Sequence, residues 1–279
     1  MEDHDSDFEP RIITSAGNAD VKLLRSLHER KFRRKSGWFL AEGVRICTEA
    51  VQLGHAPVRL VYAEDRHSDP FLVPLIEACR DAGGRTLAVS EDLLVRISRK
   101  DNPQTVIGAF EQNFISLEQI VPKGVWVALD RVRDPGNLGT IMRTADAVGA
   151  HGIILIDECT DPYSLEAVRA SMGAIFNVQI AQTNQAGFLD FARSFDGQLI
   201  GTALPASEDY RLANWQAPLI LLMGNEQAGL PETLMQACDQ LVRMPMMGRS
   251  DSLNLAVSTG VALYEYLRHQ PAKSGGSPE

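Results

Sequence analysis

The chain has 279 residues, of which 44% are hydrophobic and 23% are charged, a length and composition typical of a globular protein with one large domain or two ordinary ones. No apolar run approaches the roughly 18 residues that a membrane-spanning helix requires, and the acidic residues 1–7 argue against a secretory signal or a transit peptide, so a cytoplasmic protein is expected. The formal net charge of −9 on its own argues against a nucleic-acid-binding protein.

Up to residue 112 the sequence alternates between short strand and helix patterns. Residues 1–10 hold five acidic side chains and are predicted to be a disordered tail. Asn18 is the predicted N-cap of a first helix. The elements after it are strand 38–41, helix 44–53, strand 58–62, helix 71–82, strand 86–89, helix 91–97 and strand 106–110. This alternation predicts a compact α/β sandwich domain over residues 11–112.

One segment of this domain is strongly basic. Residues 22–35 hold seven basic side chains against the single acid Glu29, which makes a local formal charge of +6. A solvated helix face followed by a charged turn explains a lone run of this kind equally well. Because the chain is acidic overall, we favour a surface that contacts nucleic-acid phosphates. Its candidate residues are Arg30, Lys31, Arg33 and Arg34.

The second half of the chain has a different pattern. Residues 113–124 are polar, contain Pro122 and Gly124, and are predicted to be a linker. From residue 125 to residue 270 the strand patterns are almost entirely apolar, at 125–129, 153–156, 178–180, 199–202, 219–223 and 241–244. Continuous apolar strands indicate burial on both faces, which predicts a mostly parallel sheet. Residues 271–279 are predicted to be a second disordered tail.

Three short blocks follow apolar strands in this half, where open parallel sheets bind their ligands. The first block is residues 137–143, Asn-Leu-Gly-Thr-Ile-Met-Arg. A turn precedes it, and Asn137 is placed to cap the next helix. Arg143 lies in the second turn of that helix. Its guanidinium either pairs with an acid such as Asp146 or is directed at a phosphate or a ribose.

The second block is residues 221–230, in which a strand runs into a glycine-containing turn. A glycine at a strand end, here Gly224, lets a ligand approach the backbone closely, although a tight turn before Pro231 explains it as well. Glu226 lies between Gly224 and Gly229. It could cap backbone amides, bind a ribose hydroxyl or orient a substrate.

The third block, residues 244–258, is the most specific. Met244 ends a strand whose pairing Pro245 stops, and a loop leads to Ser-Leu-Asn at the start of an apolar helix. Ser252 is the expected N-cap of that helix and can also serve a ligand. Asn254 is one of few polar residues on it.

Together the three blocks closely resemble the SpoU (TrmH) family of RNA ribose 2′-O-methyltransferases, part of the SPOUT superfamily. Residues 252–258 read Ser-Leu-Asn-Leu-Ala-Val-Ser, close to the family's Ser-Leu-Asn-Val-Ser-Val-Ala, with Ala256 in place of the usual second serine. More loosely, the N-terminal half resembles the ribosomal-protein-like substrate-binding domain of many family members. Its matching residues include 30–34, Arg-Lys-Phe-Arg-Arg, and 39–43, Phe-Leu-Ala-Glu-Gly.

The resemblance implies a trefoil α/β knot over about residues 219–268, a homodimer, and S-adenosylmethionine as cofactor. The cofactor contacts that it implies are Gly224, Met244 and Leu253. It also implies that Arg143 acts beside the partner's cofactor. Family mechanisms sometimes make this arginine the base, but because arginine stays protonated in proteins we favour stabilisation of the developing alkoxide. The residues expected to orient ribose and cofactor are Asn137, Glu226, Ser252 and Asn254. Ribosomal RNA is the expected substrate, in preference to transfer RNA.

Two alternative functions agree less well with the sequence. The retained Arg143, Glu226 and Ser-Leu-Asn argue against a catalytically inactive RNA-binding protein of this fold. The missing G-x-G-x-x-G fingerprint argues against a nicotinamide-dependent oxidoreductase. The four cysteines and six histidines form no metal-ligand spacing, so reduced thiols and no metal site are expected.

Overall fold

The computed structural model describes residues 12–99, 104–206 and 208–271. The predicted tails lie outside these described residues, except for Pro271. Contacts divide the chain into two units, each with its own sheet. The first unit comprises the described part of Met1–Gln112 together with Tyr163–Phe176. The second unit comprises Asn113–Pro162 and the described part of Asn177–Glu279.

The first unit contains a four-stranded sheet in the order β1-β4-β2-β3, antiparallel except for the β2–β3 pair. Its strands are β1 (Trp38–Glu42), β2 (Arg59–Ala63), β3 (Arg85–Val89) and β4 (Val106–Glu111). Its first five helices are α1 (Ala19–Ser26), α2 (Arg30–Ser36), α3 (Val44–Gln52), α4 (Val73–Asp81) and α5 (Glu91–Ser98). The predicted α/β alternation is confirmed. Asn18 caps α1 as predicted, because its side-chain oxygen accepts from two backbone amides.

The second unit contains an eight-stranded sheet in the order β10-β12-β9-β11-β6-β7-β8-β5. Every pairing between these strands is parallel, which confirms the prediction from their apolar runs. The strands are β5 (Phe114–Ile115), β6 (Val125–Asp130), β7 (Gly152–Ile156), β8 (Gln179–Thr183), β9 (Gln198–Thr202), β10 (Glu208–Asp209), β11 (Leu219–Met223) and β12 (Gln240–Arg243). The remaining α-helices of the described residues are α6 (Pro135–Ala147), α7 (Leu165–Ser171), α8 (Gln185–Ser194), α9 (Glu232–Met235) and α10 (Leu255–Arg268).

The segment predicted as a linker, residues 113–124, is part of the second unit rather than a free connection. Phe114 pairs with Ile180, so β5 extends the parallel sheet by one edge strand. Ile120 is only 7% exposed and belongs to the core of this unit. A two-residue strand is too short to show a period in the sequence, so the pattern could not reveal it.

Helix α7 packs in the first unit, although the chain around it belongs to the second. The ring of Phe39 lies 4.7 Å from that of Tyr163, and the ring of Phe110 lies 4.8 Å from that of Phe176. The guanidinium of Arg169 donates to the carboxylate of Glu42 at 2.5 Å, and that carboxylate side chain is only 1% exposed. The predicted domain of residues 125–270 is therefore interrupted by a segment that completes the other unit.

None of the helices among the described residues is both long enough and apolar enough to cross a membrane. In the second unit, β12, β9, β11 and β6 are consecutive neighbours in the sheet. Because all four run in the same direction, their carboxyl ends lie along one edge. The three sequence blocks follow β6, β11 and β12, so the topology brings them together at that edge.

Candidate active site

The three blocks meet in an open cavity of about 680 Å³, beyond the carboxyl ends of β9, β11 and β12. A volume of this order is typical of ligand-binding sites. The predicted site residues that line the cavity are Asn137, Gly224, Glu226, Met244, Ser252, Leu253 and Asn254. The sheet therefore brings these residues together, although they span more than 100 positions of sequence.

The carboxylate of Glu226 joins the first two blocks. It accepts hydrogen bonds from the backbone amides of Arg133 and Asp134 at 3.3–3.4 Å. It also accepts from the side-chain amides of Asn137, at 3.3 Å, and Asn225, at 3.4 Å. Each bond is long, but four converging donors hold the carboxylate in one place. The sequence left three roles open for Glu226. The structure shows one of them, in which its carboxylate accepts hydrogen bonds from backbone amides.

The third block is joined to the first by a hydrogen bond between two amides. Nδ2 of Asn254 donates to Oδ1 of Asn137 at 2.9 Å. Because Nδ2 of Asn137 donates to Glu226, the Asn137 amide bridges the other two side chains. One polar chain thus connects a residue from each of the three blocks.

Both caps predicted in these blocks are wrong. The N-cap of α6 is Asp134, whose carboxylate accepts from the backbone amide of Asn137 at 2.6 Å. The N-cap of α10 is Asn254 rather than Ser252, and its Oδ1 accepts from the amide of Ala256 at 2.9 Å. An N-cap is the residue immediately before the first helical turn. Because α6 begins earlier and α10 later than the sequence patterns indicated, each has a different N-cap from the one predicted. Neither the Asn137 amide nor the Ser252 hydroxyl caps its helix.

Gly224 is required by the chain's own turn. A Cβ atom at this position would lie 2.3 Å from the carbonyl carbon of Gly229 and 2.4 Å from the amide nitrogen of Leu230. Asn225 and Gly229 exchange both backbone hydrogen bonds, at 3.0 and 3.2 Å, and Gly229 has a φ of +64°. The tight-turn interpretation is therefore correct. The same turn lines the cavity with main-chain groups.

The lining combines apolar and polar surfaces. Apolar side chains on it are Leu204, Met223, Leu230, Met235, Met244, Leu253 and Leu255. The polar residues on it are the three of the polar chain and Thr202, Asn225, Gln227, Arg243, Asp251, Ser252 and Ser258. Such a lining suits a ligand that has an apolar ring and polar ends.

Arg143 is not among the residues that line the cavity. It is exposed on α6, six residues or about 9 Å of helix beyond Asn137. The suggested partner, Asp146, instead accepts a hydrogen bond from Asn177. Arg143 has no hydrogen bond or ion pair to any of the residues that the structure describes, so its guanidinium is available to a ligand or a second chain.

The basic segment contains a helix, α2, over residues for which the alternative explanation assumed a charged turn. At about 100° per residue, positions 30, 31, 34 and 35 occupy one arc of roughly 140°, and all four are exposed. Arg33 faces the opposite side, is 4% exposed and donates to the carbonyl of Leu27 at 2.8 Å. Its burial removes Arg33 from the predicted phosphate-contacting surface. Lys31 lies 3.0 Å from Glu29, with both side chains exposed.

The thiols are unsuited to nucleophilic catalysis. Burial raises the pKa of Cys47 and of Cys238 to about 12, and that of Cys79 and of Cys159 to about 11. A thiolate is the reactive form, and little of it exists near neutral pH at such values. No group of three or more potential metal ligands occurs within residues 12–99, 104–206 and 208–271.

Sequence reasoning missed one wall of the cavity. Thr202 at the end of β9 lines it together with Leu204 and Pro205 from the following loop, and Asp251 lines it from the third block. The available signal was the predicted strand 199–202, because its carboxyl end belongs to the same sheet edge as the other blocks.

Two family models match the chain. The SpoU rRNA Methylase family matches residues 124–264, and the MRM3-like substrate binding domain matches residues 18–108. The first match includes the whole cavity, and the second includes α2, the strands β1, β2 and β3 and the beginning of β4.

Individual relatives match over almost the full length. The 23S rRNA (uridine(2479)-2′-O)-methyltransferase of Streptomyces viridochromogenes is 33% identical, with 93% of each chain covered. The 23S rRNA (guanosine(2553)-2′-O)-methyltransferase of Bacillus subtilis is 29% identical, with 90% of this chain and 97% of that protein covered. The crystal structure of an AdoMet-bound rRNA methyltransferase from Sinorhizobium meliloti has 45% identity and a TM-score of 0.88, with 95% of this chain and 100% of that chain covered.

We predict that Gly224→Ala damages the cavity, whereas Gly248→Ala does not. The added methyl group at position 224 must displace the backbone of residues 229–230, which costs about 1–3 kcal/mol for overpacking of this kind. A Cβ at position 248 meets nothing within 4 Å. Urea denaturation of both variants gives the comparison. Equal unfolding midpoints would show that the turn relaxes without cost.

Proposed function

The chain belongs to the SpoU rRNA methylase family, and we propose that it transfers a methyl group from S-adenosylmethionine to a ribose 2′-hydroxyl of ribosomal RNA. The observation that carries this proposal is the meeting of the three blocks in one cavity. The two relatives that methylate 23S rRNA support ribosomal RNA as the substrate. An enzyme acting on this RNA works where ribosomes are made, for which we propose the cytoplasm.

The cavity has the features that this cofactor requires. We assign its contacts to Gly224, Met244 and Leu253, all of which line the cavity. Apolar side chains there suit the adenine ring, and main-chain groups of the Gly224 turn suit polar ends. When bound, the cofactor supplies a methyl group on a positively charged sulfur.

In the proposed reaction, the bond from sulfur to the methyl carbon breaks as the ribose 2′-oxygen forms its own bond to that carbon. The oxygen must approach in line, so positioning supplies much of the catalysis. We propose that Asn137, Glu226 and Asn254 orient the ribose, since their hydrogen bonds already fix one another. Ser252, which lines the same cavity, is a further residue that we propose orients the ribose.

The 2′-hydroxyl must also lose its proton. We propose that the guanidinium of Arg143 stabilises the developing negative charge on the 2′-oxygen. Arginine stays protonated in proteins, so the proton passes to a phosphate oxygen or to water rather than to Arg143.

We propose a homodimer in which Arg143 of one protomer acts beside the cavity of the other. Arg143 does not line the cavity of its own chain. Helix α10 also exposes apolar side chains that its own unit leaves uncovered: Val257 is 52% exposed, Tyr264 is 56% and Leu267 is 40%. Positions 257, 264 and 267 lie on one side of a helix. The trefoil knot of residues 219–268 is likewise proposed, from family membership.

The activity is tested by incubating the protein with S-adenosylmethionine labelled in its methyl group. Label should enter ribosomal RNA, and nucleoside analysis should place it on a ribose. Transfer RNA serves as the comparison substrate. Binding of RNA without any transfer would instead support an inactive RNA-binding protein.

We predict that Arg143→Ala abolishes methyl transfer and leaves cofactor affinity unchanged, because Arg143 lies outside the cavity. Thr140→Ala, an exposed position one turn earlier on α6, is the matched control and should retain activity. Single-turnover assays and calorimetric cofactor titration measure the two properties. Near-normal turnover of Arg143→Ala, or loss of cofactor binding in a folded variant, would remove Arg143 from the mechanism.

We predict that Val257→Asp and Tyr264→Asp convert the dimer to monomers, because a carboxylate in an apolar interface loses its hydration. Phe71→Asp introduces the same charge at a residue that is 74% exposed in the first unit, and it should leave the dimer intact. Light scattering over a range of concentrations gives the mass. A monomeric mass for the active wild-type protein at every concentration contradicts the proposed dimer.

We predict that replacing Arg30, Lys31 and Arg34 by Gln weakens RNA binding and flattens its salt dependence. Each lost phosphate contact lowers the slope of log affinity against log salt by roughly 0.7 to 0.9, and cofactor affinity should not change. Arg33→Gln is measured separately and should mainly lower stability, because Arg33 is buried. An unchanged slope for the triple variant means that α2 is only a solvated surface.

A further inference from the structure

Three arginines lie around the cavity, each on a different stretch of chain. Arg243, at the end of β12, lines the cavity directly. Arg133 precedes α6, and its backbone amide donates to Glu226, which lines the cavity. Arg249 lies in the loop between Met246 and Asp251, and both of those residues line the cavity. We call these three arginines the cationic rim.

Among the described residues, the charges of the cationic rim are compensated only weakly, by Glu158 for Arg133 and by a minor electrostatic interaction with Asp209 for Arg243. Arg243 and Arg249 are exposed and form no hydrogen bond or ion pair with the described part of the chain. Asp209, the neighbour of Arg243 across the β10–β12 pairing, is held by Arg211 at 2.5 Å. Arg133 reaches only Glu158, at 3.8 Å, and the two side chains are 62% and 88% exposed. An exposed ion pair at that distance contributes little free energy, so it leaves the guanidinium of Arg133 able to bind a ligand.

Arg131, two residues before Arg133, shows that not every arginine in this part of the chain is able to bind a ligand. Arg131 makes three hydrogen bonds of 2.8–3.2 Å to Asp130, whose side chain is fully buried. Its guanidinium is therefore fixed and neutralised. In a chain with a formal net charge of −9, three arginines around one cavity that are not fixed in this way form a local positive surface suited to an anionic ligand.

We propose that Arg133, Arg243 and Arg249 bind backbone phosphates of the RNA strand that carries the target ribose. This proposal rests on the proposed function, because a 2′-hydroxyl that enters the cavity brings the phosphates on either side of its ribose to the rim. Guanidinium groups form paired hydrogen bonds with phosphate oxygens. The cationic rim thus makes the second unit an RNA-binding surface in its own right, separate from α2, and its arginines are positioning residues.

The test compares two triple variants with the same change in charge. Arg133→Gln, Arg243→Gln and Arg249→Gln remove the cationic rim and change the net charge from −9 by three units. Arg45→Gln, Arg66→Gln and Arg193→Gln make the same change at arginines that are 79%, 48% and 75% exposed and lie outside the cavity lining. Binding of a 23S rRNA transcript is measured over a series of salt concentrations.

The rim variant should lose about 2 to 3 units from the slope of log affinity against log salt, since each phosphate contact contributes roughly 0.7 to 0.9. Its KM for the transcript should rise by at least about tenfold, with a smaller change in kcat. The control variant should keep the wild-type slope, and both should keep wild-type affinity for S-adenosylmethionine.

Equal slopes for the two triple variants would overturn the proposal, as would a parallel loss of cofactor affinity in the rim variant. Failure of the proposed function gives a different result. A wild-type protein that binds the transcript but transfers no methyl group would contradict the proposed reaction. The comparison of the salt slopes would still decide whether the cationic rim binds phosphate.

Discussion

The site depends on a polar chain that runs from Glu226 through Asn137 to Asn254. Its two amide contacts, at 3.3 and 2.9 Å, join loops that follow three strands of one parallel sheet. An amide such as that of Asn137 donates and accepts at the same time, so it can connect a carboxylate to a second amide. If Asn137 is removed, Glu226 keeps its bonds to the amides of Arg133 and Asp134 and Asn254 keeps its capping bonds, but the side-chain link between the three loops is lost.

The polar chain forms because the strands beneath it, β6, β11 and β12, run parallel in one part of the sheet, with β9 between β11 and β12. The register of β11 against β6 and β9 places the carboxyl ends of all three at one edge. The same burial that makes these strands apolar keeps them rigid, whereas the loops beyond them carry the polar residues. The core therefore determines where chemistry can occur, and the loops determine which chemistry it is.

The negative net charge does not show that some arginines of this protein stabilise the fold while others are exposed to solvent. In the first unit Arg33 and Arg169 are used for structure, the one bound to the carbonyl of Leu27 and the other to Glu42. By contrast, Arg30 and Arg34 of α2 and the arginines of the cationic rim are exposed on the surface of a protein whose net charge is negative. A negative net charge is therefore compatible with RNA binding, since phosphate responds to the local surface within a Debye length of about 8–10 Å.

The sequence by itself determined the α/β class of both units, the parallel sheet, the three blocks and the family, because periodicity and short motifs are local properties. Only the tertiary structure decided that Asp134 and Asn254 are the caps, that Arg33 is buried, and that α7 completes the first unit. The caps and the Arg33 contact have near partners in sequence, but packing fixes where each helix begins and which of its sides is buried, whereas Asn137 meets Asn254 across 117 positions and Glu42 meets Arg169 across 127. A local pattern carries no information about such a partner, since the fold alone selects which polar group arrives to satisfy it.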